Sequence, residues 1–576
     1  MNMKLKHTVI ALAALFAAQN ASHAQDLDPT VVVNKAYEGK LVEVHKPTFD
    51  MEVPDSVTRF DLHFDYLVSE QPYKGADGFT PYVVKMKPEV AVQTLRKLYL
   101  NAGAGYTVHP ALDVVWSPLE SRTFKMDVYA RHRSYVGAYR SIDPSDGSRV
   151  DWSGDRNAKW SGYDFMSRAG VDGRLELESL SAGFDVAYYG LASKDMSKTR
   201  MYDALDVRLG VSSKPKNVPH FKYDVAASYR FAEDKLDYDF YGQDYLGEHV
   251  IDADIVLGQV FAGGHQVLVD LEADVALYSG SAPGREAFGN RWLLSVMPHY
   301  VLSKGRLGID AGVRVNSHGH YVSPDVKVNY VVVKDAMNLY ARIGGGSRLN
   351  TYASLLESNR HVDTRFDVYW EGLTNISSER ISATLGAEGR IGSVFSYNLR
   401  GGYANYSSGV LDAVVLTTHP IDGQRLYRPG LGYAAYQKCF AAMDWLLLTD
   451  AVRFDGSIGY TYAWGLDAQE VLFLPAAVTG DVSFEYNWKK RIFAGVDCVF
   501  STGRHGSVCV KIPGAPGPEA AVIPGYADLG VNFKYAFSRD FSVWARGGNL
   551  LNMTIQRNPL YAEKGVNLTV GICLNL

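Results

Sequence analysis

The most regular feature of the chain is an alternation of apolar and polar residues that recurs along most of its length. From Val566 to Leu576 the even positions hold Val, Leu, Val, Ile, Leu and Leu, whereas the odd positions hold Asn, Thr, Gly, Cys and Asn. Successive side chains of a β-strand point to opposite faces. The pattern therefore predicts a strand with one apolar face and one small polar face.

Other segments repeat this pattern. They lie at 251–257, 267–275, 452–464, 482–488 and 529–537. Each apolar face covers about 9–11 residues, the length that a tilted strand needs to cross the hydrocarbon of a membrane. Aromatic residues gather at the ends of these faces, such as Tyr460, Tyr462 and Trp464 on one strand and Tyr486 and Trp488 on the next. Such residues form the interfacial girdles of membrane barrels. The predicted fold is an all-β, transmembrane antiparallel β-barrel that is apolar outside and polar inside.

Short and long connections alternate between these strands. Short turns are predicted at 178–179, 263–264, 303–305, 334–335, 392–393, 489–490 and 538–540. Long loops are predicted at Ser134–Trp160, Glu233–Glu248, Ser279–Asn290, Asn350–Ser377, Tyr406–Gly430 and Ser501–Pro524. Periplasmic turns and extracellular loops of outer-membrane barrels alternate in this way. We expect about 22 strands, within four either way, with both ends of the barrel on the periplasmic side.

The chain divides into three segments. Residues 1–24 resemble a secretory signal peptide, because Lys4 and Lys6 precede an apolar run from Thr8 to Ala18 and a small residue, Ala24, precedes Gln25. A retained N-terminal anchor helix is the alternative. Residues 25–94 are interrupted by six prolines, which predicts an extended segment in the periplasm or in the lumen. Residues 95–576 form the barrel, which we place in the outer membrane of a Gram-negative bacterium.

Composition and cysteine content narrow the function classes. The net charge of −5 gives no basic excess for nucleic-acid binding. The four cysteines do not form a disulfide scaffold. Cys498 and Cys509 flank a loop that a disulfide could close, but Cys498 also falls in the apolar register of its strand, so both alternatives stay open. Cys439 falls on an apolar face and Cys573 on a polar one.

No catalytic, cofactor-binding or metal-binding residues are predicted. His318 and His320 form the densest histidine motif, but two ligands do not complete a metal site, and a solvated loop is the better interpretation. Asp237 and Asp239 suggest a calcium ligand pair, although acidic loop residues are usually only exposed. Charged residues of both signs fall in the inward register and predict an ion-paired wall around a wet lumen. They include Lys125, Asp127, Arg131, Arg168, Asp172, Arg174, Glu176, Arg230 and Arg453.

Three stretches of the chain resemble the barrel domain of Bacteroidetes TonB-dependent receptors. The first runs from Pro81 to Pro88 and continues into Leu98–Gly105; the second is Gly345–Tyr352 with Glu357–Arg360; the third is Pro524–Tyr526 with Asn549–Asn552. The segment before residue 95 is too short and proline-broken for that family's plug domain, so the resemblance is to a plug-less barrel. The chain also ends in Leu576, where an aromatic residue is usual. Asp28–Val33 resembles a TonB box, the strand that pairs with TonB by edge addition.

The resemblance implies a channel or transport component for polar solutes, surrounded by outer-membrane lipids. The alternative is a non-transporting structural subunit of an outer-membrane complex, such as the barrel-assembly machinery or surface lipoproteins. A partner protein in the outer membrane or periplasm is compatible with both hypotheses, whereas TonB as a partner is doubtful without a plug to pull. A barrel-embedded enzyme is the weakest hypothesis, because no cluster of serine, histidine and acid is evident at one rim.

Overall fold

The computed structural model describes most of the chain from residue 97 onward. The described ranges are 97–106, 108–142, 158–196, 198–215, 219–239, 241–282, 288–362, 375–418, 423, 425–466, 472–514 and 517–576. The predicted signal peptide, the segment 25–94 and the resemblance to a TonB box lie outside them. Among these residues no helix is long and apolar enough to cross a membrane.

The described residues form 25 strands and one short helix. The strands are β1 (Leu98–Tyr106), β2 (Ala111–Glu120), β3 (Phe124–Arg140), β4 (Lys159–Glu176), β5 (Leu180–Lys194), β6 (Lys198–Ser213), β7 (His220–Tyr238), β8 (Gly242–Val260), β9 (His265–Gly280), β10 (Arg291–Lys304), β11 (Leu307–Asn316), β12 (Val322–Val333), β13 (Met337–Leu349), β14 (Ile376–Ile391), β15 (Phe395–Thr418), β16 (Arg425–Leu448), β17 (Val452–Trp464), β18 (Leu472–Phe473), β19 (Val478–Trp488), β20 (Ile492–Ser501), β21 (Arg504–Val510), β22 (Glu519–Ile523), β23 (Tyr526–Ala536), β24 (Phe541–Gly548) and β25 (Asn567–Asn575). Helix α1 spans Tyr352–Ser358 between β13 and β14.

Twenty-two of these strands close into an antiparallel barrel. Strands β1 to β17 follow one another around the wall, and β19, β20, β23, β24 and β25 complete it. The barrel closes where β25 pairs with β1, with Asn575 opposite Tyr99 and Leu568 opposite Tyr106. The predicted fold class and strand count are confirmed, and the wall begins at Leu98, close to the predicted boundary.

The two faces of the last strand follow the predicted register. On β25, Leu568 and Val570 are 52% and 54% exposed, whereas Thr569 and Cys573 are buried. The aromatic residues form two separate bands on the outside. Tyr460 and Tyr462 lie at the end of β17 that leads to a long connection, and Trp488 lies at the end of β19 that leads to a short turn. The wall therefore carries an apolar belt between two aromatic girdles, as a membrane-spanning barrel requires.

Tight turns join the strands at one end of the barrel. Residues 305–306, 334–336, 392–394, 449–451, 489–491 and 537–540 each connect two neighbours. Several turn residues have positive φ, among them Asp335 at 60°, Lys489 at 55° and Lys490 at 56°. Left-handed backbone at such positions is typical of two- and three-residue hairpin turns. The short turns predicted from the sequence are confirmed at this end.

Two of the predicted long loops are wrong. Strands β7 and β8 continue through Glu233–Glu248 and leave only 239–241 as a connection. Strands β15 and β16 continue through most of Tyr406–Gly430, and each is 24 residues long, or about 80 Å at ~3.3 Å per residue. Both hairpins thus extend far beyond the membrane belt. The apolar–polar alternation fails above the belt because neither face meets lipid there, although backbone pairing continues.

A small sheet adds to the projecting part of β15. Strand β18 pairs with β15 in antiparallel orientation and β21 pairs with it in parallel, so that the β21–β22 hairpin lies over the same end of the barrel. Val414, Leu416, Phe473, Val508 and Ile523 form its buried core. We call this unit the cap sheet. It occupies the predicted loop Ser501–Pro524.

The cysteines form no disulfide in the structure. Cys498 lies on β20, between Val482 of β19 and Leu529 of β23, whereas Cys509 lies on β21 in the cap sheet. All four cysteines are free. Cys439 is exposed on the outer face and Cys573 is buried on the inner face, as their registers predicted.

Candidate functional site

The end of the barrel with long connections, which we call the mouth, carries the loop between β13 and β14, and residues 350–362 of this mouth loop pack against the wall. The structure describes 350–362 and 375 of this mouth loop. Its base is fastened where the Asn350 N–H donates to the Asn375 carbonyl oxygen at 2.6 Å. Thr351 then caps α1, its side-chain oxygen accepting the Ser354 N–H at 3.1 Å. The cap stabilises the beginning of α1, whose side chains Tyr352, Leu355 and Leu356 are buried.

A carboxylate on the wall holds the beginning of α1. Glu248 of β8 is 1% exposed and accepts the backbone N–H groups of Tyr352 at 2.6 Å and Ala353 at 3.0 Å. The Tyr278 hydroxyl donates to the same carboxylate at 2.9 Å. The first N–H groups of a helix lack partners within it, and a carboxylate that accepts them stabilises the helix end. Glu248 therefore links the mouth loop to the wall.

A buried ion pair holds the other end of the described loop. Arg200 of β6 lies 3.3 Å from the Asp234 carboxylate of β7, and both side chains are at most 1% exposed. The Tyr352 hydroxyl donates to Asp234, while Arg200 donates to the carbonyl oxygens of Arg360 and Val362. One wall cation thus satisfies backbone acceptors on both sides of His361. Removing one member of such a buried pair leaves an uncompensated charge, which is strongly destabilising.

Apolar contacts surround these polar anchors. Tyr352, Leu355, Leu356 and Val362 of the mouth loop belong to one buried cluster with wall residues. The wall contributes residues from several strands, including Leu191, Tyr202, Leu246, Ala276, Leu293 and Leu431. Phe288 packs edge-on against the Tyr352 ring, with ring centroids 5.6 Å apart. The mouth loop and the wall therefore share one hydrophobic core.

A second loop, residues 549–566 between β24 and β25, meets the mouth loop. Arg360 forms ion pairs with Asp164 of β4 and with Glu563 of this second loop, the latter at 3.3 Å. The His361 and Tyr561 rings are stacked, with centroids 3.6 Å apart and an interplanar angle of 1°. These contacts join two loops that lie about 200 residues apart in the sequence, since Arg360 and Glu563 are separated by 203 positions.

The two projecting hairpins meet above the loops. The Arg428 guanidinium near the tip of β15–β16 lies 5.2 Å from the ring centroids of both Tyr238 and Tyr241 on the β7–β8 hairpin. Arg428 is 5% exposed, so this cation–π contact is largely desolvated. The hairpins therefore form an arch across the mouth.

The pKa values of His361 and Glu357, both in the mouth loop, are shifted. Burial, together with the nearby cations Arg360, Lys198 and Arg200, lowers the pKa of His361 well below its usual range. Burial raises the pKa of Glu357, although Arg230 lies 3.5 Å from its carboxylate and opposes the shift. The closed mouth thus favours a neutral imidazole at His361.

Below the mouth, the inner wall carries a network of charges. His299 lies 3.1 Å from Asp270 and 2.7 Å from Asp310, and Lys327 lies within 4 Å of Asp310 and Asp325. Arg314 reaches Glu272 at 2.5 Å. These pairs link the four neighbouring strands β9, β10, β11 and β12 along the inner face of the wall. The mixed signs indicate a mutually paired inner wall rather than a single-sign selectivity ring.

Several of the predicted inward charges are paired as expected. Arg131 lies 2.7 Å from Asp113, Arg174 lies 2.5 Å from Glu176, and Arg230 lies 2.5 Å from Asp206. Arg453 lies 2.8 Å from Asp455, Lys125 lies 3.4 Å from Glu120, and the Ser117 hydroxyl donates to Asp127. Arg168 and Asp172 lie on β4, which pairs with β3 on one side and with β5 on the other. The interpretation of the lumen as an ion-paired wall is supported for the paired residues.

The two histidines predicted on a solvated loop behave differently from each other. His318 packs edge-on against Trp292, with ring centroids 4.5 Å apart. His320 is 2% exposed and its backbone N–H donates to the Ser347 hydroxyl at 3.1 Å, so the solvated interpretation is wrong for it. Asp237 and Asp239 are exposed at the tip of β7–β8. No group of three metal-ligating side chains occurs in the described part of the chain.

The residues that build the mouth were missed in the sequence. Glu248 and Asp234 fell within a predicted loop, and Arg200 and Arg360 were assigned no role. The available signal was weak: acidic residues stand in the inward register of strands that continue past the membrane belt. Their partners lie more than 100 positions away, as for Glu248 and Tyr352, so no local spacing points to them.

Comparisons with known proteins agree with the geometry. No family model matches the sequence, and neither does any curated protein. Solved structures do match. A variant of the FrpB iron transporter from Neisseria meningitidis is 10% identical, covers 83% of this chain and 81% of that chain, and gives a TM-score of 0.59. The siderophore receptor PirA from Acinetobacter baumannii is 10% identical, with 84% and 80% covered and a TM-score of 0.58.

A third match is the outer membrane transporter YddB from Escherichia coli, at 8% identity, with 83% and 81% of the two chains covered and a TM-score of 0.54. Identities this low establish the fold and no more. The chain therefore has the barrel fold of outer-membrane receptors and transporters. The barrel fold that the resemblance in the sequence implied is confirmed.

Proposed function

We propose that this protein is an integral outer-membrane barrel that serves as a channel or transport component for polar solutes. The observation that carries the proposal is a closed barrel of 22 strands with a polar inner wall and, at its mouth, a loop that is anchored to that wall. A barrel of this size encloses a wide lumen. A mouth fastened through non-covalent contacts at Glu248 and Arg200 can be released without breaking the wall.

The apolar belt supports the membrane placement. Phe221, Val225 and Tyr229 alternate on the outer face of β7 and are 56%, 37% and 39% exposed, and the next outward positions above Phe231 are Glu233 and Lys235. About 11 residues therefore separate the two interfaces along this strand, as a tilted transmembrane strand requires. In the proposed orientation the short turns face the periplasm and the mouth faces the medium.

Conductance of the full-length protein in planar bilayers tests the proposal. We expect small or rare openings from the wild type, because the mouth is closed. Glu248→Leu combined with Arg200→Leu removes both wall anchors, and we expect larger and more frequent openings. Arg425→Gln is a matched control, since it disrupts an ion pair with Glu519 in the cap sheet, where both side chains are about one-third exposed.

A non-transporting structural subunit of an outer-membrane complex is the second candidate. The specific observation in its favour is the mouth loop's buried core, which suits a permanently closed barrel. A double variant that keeps its heat-modifiable barrel but conducts no more than the wild type would favour this candidate. Copurification of a stable protein partner from native membranes under mild detergent would strengthen it.

We also propose that residues 25–94 act as a periplasmic or lumenal segment separate from the wall. The pairing of β1 with β25 closes the barrel without them. Deletion of residues 28–90 should leave the barrel assembled. If the segment occludes the lumen, the deletion raises conductance and sensitises cells to large antibiotics; if it docks TonB or another periplasmic protein, permeability stays unchanged and copurification of that protein is lost.

A further inference from the structure

The turn end of the barrel carries a group of cations on adjacent turns near the closing seam. Five of them, which we call the seam patch, are exposed: Lys97, Lys489, Lys490, Arg491 and Arg539. The exposed acids on the same turns and their neighbour are Asp450 and Asp540. The patch is thus net positive, whereas the whole chain carries −5.

Backbone contacts show that these turns are contiguous. The Ala536 N–H donates to the Arg491 carbonyl oxygen at 2.8 Å, which joins the turn 489–491 to the turn 537–540. The Asn575 N–H donates to the Asp540 carbonyl oxygen at 2.9 Å, and the Lys97 N–H donates to that of Leu576 at 2.7 Å. The patch therefore spans six neighbouring strands, from β19 to β1, or about 24 Å at ~4.8 Å per strand.

The cations lie at the level of the aromatic girdle. The Lys489 ammonium lies 5.2 Å from the centroid of the Trp488 ring, and Trp488 is 49% exposed on the outer face of β19. Phe537, the first residue of the turn 537–540, and Leu576, next to Lys97, are each 58% exposed. Positive φ at Lys489 and Lys490 fixes a tight turn that directs both side chains away from the strand ladder. Apolar groups for acyl chains thus lie directly beside cations.

We propose that the seam patch binds the phosphate headgroups of anionic phospholipids in the leaflet that the short turns face. Cations next to an aromatic girdle match the two parts of such a lipid, because the ring contacts the acyl region and the cation contacts the phosphate. An acidic protein could bind through the cations alone, and its binding would not require the exposed rings of Trp488 and Phe537. This inference rests on the proposed membrane placement of the barrel.

Lipid selection by the purified full-length protein tests the inference. The wild type is reconstituted into phosphatidylcholine nanodiscs containing a small fraction of phosphatidylglycerol, and the retained lipids are measured by native mass spectrometry. The triple variant Lys489→Gln, Lys490→Gln, Arg491→Gln should retain phosphatidylglycerol on the order of tenfold less well. The matched control is Lys304→Gln, Arg306→Gln, Lys334→Gln, which removes three exposed cations from the end of β10 and from the turns that follow β10 and β12. It should stay within about twofold of the wild type.

Each outcome decides the question. Equal retention by the wild type and the seam-patch variant, or equal loss in both triple variants, overturns a specific lipid site. Competition by inorganic phosphate at millimolar concentration would assign the site to free phosphate instead. If the seam-patch variant retains lipid as the wild type does, but no longer copurifies from native membranes with an acidic periplasmic protein, the patch would be assigned to that protein. A barrel that inserts and is heat-modifiable but does not select lipid contradicts this inference alone, whereas failure to insert contradicts the proposed function.

Discussion

The Trp544 indole N–H donates to the Asn101 side-chain oxygen at 2.7 Å, across the seam where the last strands meet the first. Trp544 belongs to β24 and Asn101 to β1, with β25 between them. The indole ring crosses β25 directly over Gly571 and reaches Gly103, where a Cβ would approach the ring to 2.6 Å. One side chain on the inner face therefore ties three strands together at the closure of the barrel.

We expect the stability of the seam to depend on Gly571. A Cβ at Gly571 would collide with the Trp544 ring and with the Ala102 carbonyl oxygen. Gly571→Ala should therefore destabilise the barrel by about 1–3 kcal/mol, because the strand ladder cannot move aside. The measurement is the midpoint of urea unfolding, read from heat-modifiable migration. Gly210→Ala on β6 is the control, since its nearest neighbour would lie at 3.8 Å; equal effects at both positions would contradict a special role for the seam.

The faces of β23 can be tested by charge insertion. Phe533 is 46% exposed in the apolar belt, whereas the neighbouring Asn532 points into the barrel beside Gly495. Phe533→Arg should cost about 2–4 kcal/mol near the membrane midplane. Asn532→Arg should be tolerated better because it faces the polar interior. The measurement is expression of heat-modifiable protein in the membrane, and equal yields of the two variants would contradict the assigned faces.

Sidedness can be tested by cysteine labelling of intact cells. Asp239 lies exposed at the tip of the β7–β8 hairpin, and Lys490 lies exposed on a tight turn at the opposite end. Asp239→Cys should react with a membrane-impermeant maleimide, whereas Lys490→Cys should react only after the cells are opened. The wild type controls for the four native cysteines. Labelling of Lys490→Cys alone would invert the proposed orientation.

The mouth should open more readily at acid pH. Because burial and neighbouring cations lower the pKa of His361, the closed loop excludes a proton that a solvated imidazole would bind. The closed form is therefore favoured above the ordinary histidine pKa of about 6.5 and loses stability as the pH falls below it. Conductance recorded from about pH 8 to about pH 5 should rise below that value. His361→Phe keeps a ring to stack on Tyr561 and should abolish the rise.

Glu357 works in the opposite direction at lower pH. Burial raises the pKa of its carboxyl, so the closed form binds a proton more readily than the open form and gains stability as the pH falls through the raised value. Glu357→Gln is neutral at every pH, so it should hold the mouth more firmly closed at neutral pH and make the rise in conductance between about pH 8 and about pH 5 steeper than in the wild type. If conductance still rises at acid pH in His361→Phe, the rise would be caused by groups other than His361.

The sequence by itself determined the barrel. Alternation such as that from Val566 to Leu576 states which face of a strand meets lipid, because an exposed charge in hydrocarbon is costly and the period of a strand is two. Tight turns such as 489–491 are equally local, since they depend on a few backbone conformations. Strand number, register and the aromatic girdles followed from these two signals, and the structure agrees with them.

Only the tertiary structure decided how the mouth is closed. Above the belt, strands β7 and β15 lose the lipid that imposed their alternation, so the sequence could not distinguish their continued pairing from loops. The contacts of Glu248 with Tyr352, and of Arg360 with Glu563, join residues separated by 104 and 203 positions. These residues meet because the closed wall brings distant strand ends together around one opening. No local pattern of residues in the sequence could predict such contacts.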